Sequence, residues 1–301
     1  MDQTHVEFIR DVLPRGRTLY HYYRDHYAVY LLRKWMGDQP VCVRELKRSR
    51  VAPFLNKSCL RPLLSQAGDG HLYPQQLEQL WPENTRAYRL SLGVWPELDE
   101  DCDLNWHQVT RKGRNLVLQL NMNAGHKREL ARRIPEWRGV ARSFCHPVAG
   151  GDELTLAWSR IDLDLERGEA LIEEIQSDWV RDVRSCTNQR YRQDYREWNA
   201  YQQSTFQLER KIWPEIILSA TLWFLIEELG MQTVFFHRYE TGTKLKRIPF
   251  SPPPRSLYTQ LPEQFGFRLT HNGPGFIRDS MDRRQLRLFC DPETRWYVMQ
   301  I

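Results

Sequence analysis

The stretch "WPEIILSATLWFLIEELG", Trp213 to Gly230, constrains the fold more than any other part of the chain. Pro214 suits the first position of a helix, where its missing N–H costs nothing. Glu215 suits the positively polarised first turn, and Gly230 suits the stop. From Ile216 to Ile226 the side chains are apolar nearly all round, so the helix has no face to give to water. Those eleven residues are too few to cross a bilayer, which takes about 20 apolar residues. The helix must lie buried against a sheet.

The flanking sequence supplies that sheet. "NLVLQLNM" (115–122) reads as a strand and "AGHKRELARRI" as a short helix stopped by Pro135. "ELTLAWSRIDLDL" and "ALIEEIQSDW" read as two strands joined by "ERGE", a turn containing Gly168, and so as an antiparallel hairpin. After the buried helix comes a strand, "QTVFFH", then a broken helix, "PRSLYTQLPEQFG". "FRLTHN", "QLRLFCD" and "RWYVMQI" close the chain as strands, with "NGPGF" as a turn. A strand that reaches the next through a crossover helix implies parallel pairing. The predicted fold class is α/β, a mixed and partly parallel sheet with flanking helices.

The first hundred residues read differently. "LYHYYRDHYAVYLLRKWMG" places Leu19, Tyr23, Tyr27, Tyr30, Leu31 and Trp35 at helical spacing before a glycine stop. "CVRELKRSRVAPFL", "SCLRPLLSQAG" and "PQQLEQLW" read as shorter helices. The Pro-, Glu- and Asp-rich stretch around Trp95 and Pro96 predicts a boundary near residue 100. It separates a basic, mainly helical module (1–100) from an α/β domain (101–301). Residues 1–66 hold twelve Lys and Arg against six Asp and Glu, an excess of six beside +5 for the whole chain. Arg44, Lys47, Arg48, Arg50, Lys57 and Arg61 fall on two of the short helices. They suit a phosphate-binding surface for a nucleic acid, or a surface for a protein partner, and equally a solvated basic face.

The six cysteines show no C-x-x-C pair, which predicts free thiols and a cytoplasmic location. No signal peptide or membrane span is legible, so no membrane partner is expected. Cys145 and His146 are adjacent, but no further ligand stands at metal spacing, so no metal is expected. A Cys145 thiol with His237 or His271 as its base is one open arrangement. "NQRYRQDYREWNAYQQSTFQLERK" puts Tyr191, Tyr195 and Trp198 on one helical face among arginines, suited to stacking on single-stranded nucleic acid or to packing on the domain.

"LIEEIQSDW" (171–179) is the least ordinary strand. With period-two alternation neither face is cleanly apolar, and four charged or amide groups stand where a core strand would carry valines. From residue 113 onward the element order, with a hairpin feeding a long helix and a later "QFGFRL", resembles the GNAT superfamily of N-acyltransferases. That resemblance implies an acyl-CoA thioester, such as acetyl-CoA, in a gap between two splayed parallel strands. It also implies a pyrophosphate held at the start of the following helix. The family's glycine-rich loop is missing, since no glycine stands between Gly168 and Gly230, which leaves Arg210 and Lys211 to attract phosphate by charge.

"EEIQSDW" with the downstream Lys211, Trp213 and Pro214, and more loosely Tyr258, Leu261 and Pro262, is similar to a domain of the large polyvalent proteins of phages and conjugative elements. This implies a phage or mobile-element conflict context. In the GNAT-like reading Glu174 or Asp178 deprotonates an amine, Gln176 fixes a carbonyl and Tyr258 protonates a leaving thiolate. Alternatively the carboxylates pair with Arg181, Arg184 and Lys211 and anchor the sheet. Three functions stay open: an acyltransferase acting on an amine of a macromolecule, a catalytically silent module that binds nucleic acid or a protein, and an enzyme without CoA that uses Glu174 and Asp178.

Overall fold

In a computed structural model of the chain, the described residues are 1, 3–12, 18–96, 108–133, 146–149, 153–185, 196, 200, 201, 203, 206–248 and 253–301. The strands are β1 (Thr18–Tyr22), β2 (Val41–Cys42), β3 (His71–Leu72), β4 (Arg86–Trp95), β5 (Asn115–Met122), β6 (Leu154–Asp164), β7 (Glu169–Gln176), β8 (Thr233–His237), β9 (Arg268–Thr270) and β10 (Trp296–Gln300). Eight of them form one sheet in the order β1-β4-β5-β6-β7-β8-β10-β9, while β2 and β3 make a separate two-stranded ladder. The β7–β8 pair is parallel and the other neighbours in the large sheet are antiparallel. The expected class, a mixed and partly parallel α/β sheet, is the one found.

The helices are α1 (Gln3–Val12), α2 (His26–Met36), α3 (Val43–Leu46), α4 (Arg61–Ser65), α5 (Pro74–Glu78), α6 (Ala124–Arg133), α7 (Asp178–Ser185), α8 (Phe206–Trp223), α9 (Tyr239–Leu245), α10 (Gln260–Gln264), α11 (Gly275–Asp279) and α12 (Arg283–Phe289). The apolar helix lies where its composition requires. α8 crosses β5, β6 and β7, and Ile216, Ile217, Leu218, Ala220 and Leu222 are all but inaccessible to water. Burial of each large aliphatic side chain stabilises by about 1.5–3 kcal/mol. On the opposite face Leu245, Phe276, Ile277 and Phe289 close over Leu171, Phe235 and Trp296. The sheet is thus covered on both sides near β7 and β8, which explains why β8 reads as a continuous apolar run.

Several expectations need correction. The stretch predicted as one helix from Leu19 splits into β1 and α2. Tyr20 and Tyr22 alternate inward while Leu19 and His21 face out, and Asp25 at φ 66 turns the chain before the helix starts. α8 begins at Phe206, so Pro214 sits inside it rather than at its start. "QLRLFCD" is helical because Asp282 and Gln285 form a capping box that starts α12. The sheet runs across the boundary expected near residue 100, since β1 and β4 extend it beyond β5. The helices of the basic segment, α2 to α5, therefore form an excursion between two strands of the same sheet. Among the described residues no helix is long and apolar enough to cross a membrane, no group of side chains is placed to hold a metal, and Cys42, Cys59 and Cys290 are free thiols.

Candidate functional site

The mixed pattern of "LIEEIQSDW" has a local cause. Between β6 and β7 the register runs Arg160 to Glu174 and then Ile161 to Ile172, so Glu173 is an extra residue, a β-bulge. A bulge shifts the alternation by one, which lets Ile172 and Ile175 both enter the large core although they are three apart. Glu173 is left on the opposite face with Leu171.

The bulge coincides with the end of the parallel pairing. β7 and β8 pair from Glu169–Thr233 to Ile172–Phe236; β8 ends at His237 and the chain turns into α9, while β7 continues to Gln176. Among the described residues no strand meets the edge of β7 there. Instead Lys246 Nζ donates to the Glu173 carbonyl at 2.7 Å, and Lys246 is buried. Burial pulls the Lys246 pKa down against the Glu174 and Glu173 carboxylates. Tyr258 also lies here, fully covered, with its hydroxyl unbonded and the Ile175 amide near but outside bonding geometry. Burial raises that phenol far above its ordinary pKa.

Glu173 is wholly inaccessible and bound on all sides. Its carboxylate accepts from the Thr110 amide at 3.0 Å, the Thr110 hydroxyl at 2.8 Å and His237 Nε2 at 3.1 Å. Burial alone would raise its pKa; the His237 bond and the charges of Lys246 and Arg160 outweigh burial and lower it to about 2. His237 is equally buried, and desolvation lowers its pKa in spite of Glu173. The neutral Nε2–H tautomer fits, because Nε2 faces Glu173 and Thr110 while Nδ1 has no partner.

The predicted site residues divide. Glu174 is closed on Arg160, itself buried, and Arg160 also donates to the Gln108 carbonyl at 3.1 Å. Burial acts to raise the Glu174 pKa, but Arg160 holds it below the usual carboxylate range, the opposite of what a base needs. Asp178, in the first turn of α7, accepts from His146 Nδ1 at 2.6 Å, Trp158 Nε1 at 2.8 Å, Gln176 Nε2 at 2.8 Å and Arg181. Burial is again outweighed, and its pKa is lowered. The Arg181 pairing weighed for this carboxylate is present. Arg210 and Lys211 are exposed on α8 one turn beyond its start, and Tyr258 lies buried at the β7 edge, where the Glu174 carboxylate acts on it. Arg44, Lys47, Arg48, Arg50 and Arg61 are exposed, whereas Lys57 is bound to Asp25 at 3.2 Å and lies over Tyr27. Cys145, Arg184's side chain and the Tyr191–Trp198 face lie outside the described residues.

One group was missed. His146 stacks at a tilt on Trp158, with ring centroids 5.8 Å apart, and its side chain is 26% exposed. The shortest contact of Nδ1, to the Asp178 carboxylate at 2.6 Å, calls for a hydrogen on Nδ1. The Gln176 amide nitrogen at 3.2 Å and an Arg181 guanidinium nitrogen at 3.3 Å lie against the same atom and donate instead to the shared carboxylate oxygen; the Nε2 lone pair then points away from the carboxylate. Among the described residues no group bonds Nε2. No sequence signal pairs it with Asp178: the two are thirty-two residues apart, and only the fold closes that distance.

Buried neutral histidines make an acid-sensitivity prediction. His26 and His126, like His237, have pKa values lowered by burial, the first two to about 4 from 6.5. Below pH 6.5 the unfolded chain takes up protons that the folded chain refuses, so stability falls with pH. The loss through His26 and His126 runs from about pH 6.5 down to their folded values near 4, at up to about 3 kcal/mol each. Glu173 adds a further loss between its ordinary value, 4.5, and about 2. Denaturant midpoints measured from pH 7 to pH 4 are expected to drop steeply; a flat profile contradicts the assignment.

No protein-family model, no curated protein and no solved structure matches the chain.

Proposed function

We propose that this chain is an enzyme whose general base is His146, oriented by Asp178 at the end of β7, and that it takes a proton from the nucleophile of a group-transfer or hydrolytic reaction. One observation carries the reading: Nδ1 is bonded to a buried carboxylate while, among the described residues, nothing bonds Nε2, and the side chain is partly open to water. A histidine so held is a base of fixed tautomer and direction. Of the three functions open from the sequence this is closest to the enzyme without CoA, with Asp178 acting through His146. The Glu174–Arg160 pair serves to hold the strand ends.

The test is turnover. Activity found by screening activated acyl and phosphoryl esters is expected to fall about 10²–10⁴-fold in His146→Gln, with an unchanged melting temperature. Full activity in that variant would overturn the reading.

A specific observation favours acyl transfer as a second reading. Among the described residues no strand pairs with β7 past Ile172, and the buried Tyr258 hydroxyl lies beside that edge, where the Lys246 amine holds the Glu173 carbonyl. This suits the strand gap that the GNAT resemblance implies. The pyrophosphate position fits less well. α7 follows β7 directly, Ser177 Oγ already accepts from the Val180 amide at 3.1 Å, and the Asp178 carboxylate stands in the first turn. An anion there meets a like charge, and α8 offers only the exposed Arg210 and Lys211. No step is therefore routed through CoA. A rise in melting temperature with millimolar acetyl-CoA would restore it, since a ligand at 100 times its dissociation constant stabilises by about 2.7 kcal/mol. The phage-conflict context implied by "EEIQSDW" would make a macromolecule of the host or of a competing element the acceptor.

A further inference from the structure

The large sheet ends on one side at β1, and that edge is open. Every second residue of an edge strand turns its N–H and C=O away from its neighbour, so β1 offers one row of main-chain groups to β4 and a second row outward. Among the described residues no main-chain group from Thr18 to Tyr22 bonds anything beyond β4. The strand also lacks the devices that keep such an edge unpaired. "TLYHY" holds no charged residue, no proline and no glycine, and its register with β4 runs without a bulge. The opposite edge, β9, is guarded: it is three residues long and carries the exposed Arg268.

The side chains beside that edge are apolar and face water. Leu19 and His21 point to the face opposite Tyr20 and Tyr22. Leu19 is 60% exposed, and Trp81, which lies against His21 with ring centroids 5.1 Å apart, is 64% exposed. Two strands of this sequence running antiparallel, with Tyr20 opposite Tyr20, set Leu19 of each copy across from His21 of the other, where opposed Cβ atoms stand about 4.5–5.5 Å apart. Each leucine then meets a His21–Trp81 pair, and the contact occurs twice about one two-fold axis. A patch that covers its own image needs no second kind of partner.

We propose that β1 pairs edge to edge with β1 of a second copy, antiparallel and about a two-fold axis, joining two eight-stranded sheets into one. Five residues and one tryptophan a side form a small interface, so the pairing is a concentration-dependent equilibrium. It is independent of the role given to His146, because mass and not turnover reads it.

The test is sedimentation velocity on the full chain from about 1 to about 200 μM, the range in which a small interface forms. The mass is expected to rise from the 36.1 kDa of one chain toward twice that value. Leu19→Lys, at an exposed position, sets a charge on the edge and is expected to weaken association about tenfold or more, because both copies lose a leucine that pairing buries. Leu269→Lys makes the same change on β9, where Leu269 is 44% exposed, and is expected to leave association unchanged. In the unaltered chain the amides of Thr18–Tyr22 that point outward are expected to exchange with deuterium more slowly at high concentration than at low. A single-chain mass at about 200 μM, a dimer that Leu19→Lys leaves unchanged or that Leu269→Lys breaks equally, or β1 exchange that ignores concentration would each overturn the proposal.

Discussion

Glu173→Ala is expected to destabilise the chain by about 3 kcal/mol or more, since three buried donors lose their acceptor at about 1–3 kcal/mol each. The reason lies in what remains. Thr110 would lose the acceptor of its amide and of its hydroxyl, His237 would lose its one charged partner, and the buried Lys246 amine would face one carboxylate fewer. Glu173→Gln should cost less, because an amide oxygen still accepts from Thr110. Equilibrium denaturation of the two variants measures the difference. If both stay within about 0.5 kcal/mol of the parent, as surface substitutions do, the bulge carboxylate is not the pin described here.

Asp178→Asn is expected to cut any turnover about as deeply as loss of His146 itself, about 10²–10⁴-fold. Asparagine is nearly isosteric with aspartate, yet its amide donates where the carboxylate accepted. Facing Nδ1 with an N–H selects the other tautomer, with hydrogen on Nε2, and the ring ceases to be a base in the open direction. A purely structural Asp178 predicts a different outcome: lower stability and unchanged turnover per folded molecule. Turnover compared with folded fraction, read by circular dichroism on the same samples, separates the two.

The fold was legible where burial is uniform. "WPEIILSATLWFLIEELG" could only be an interior helix, and the hairpin ending at "EEIQSDW" followed from the turn "ERGE" with Gly168 between two strands. Elsewhere local pattern misled. The tyrosines of "LYHYY" satisfy helical and strand spacing alike, and only pairing with β4 decides for the strand. β4 went unseen inside a polar segment because its outward positions carry arginine and serine. Pro214 looked like a helix start because sequence cannot show the two turns that precede it.

The site was half legible. Glu174, Gln176 and Asp178 stood out as misplaced polarity, and the structure gives each a partner. Their partners were invisible, because Arg160 sits on the neighbouring strand fourteen residues away and His146 thirty-two residues from Asp178. Arg160 did carry a signal, a lone cation within the apolar "LTLAWSRIDL", which must be paired if buried. The bulge that places Glu173 is a matter of register between two strands, and no single strand encodes it.

Asp178 bonds His146 Nδ1, and among the described residues nothing bonds Nε2 on a side chain that is partly open to water. Diethyl pyrocarbonate acylates unprotonated imidazole nitrogens, and peptide mass spectrometry reads the rate at each histidine. At pH 7 His146 is expected to react readily, buried His237 not at all, and Asp178→Asn to slow His146 markedly. A His146 that stays unmodified while the chain is folded, or that reacts at the same rate without the aspartate, would contradict the account.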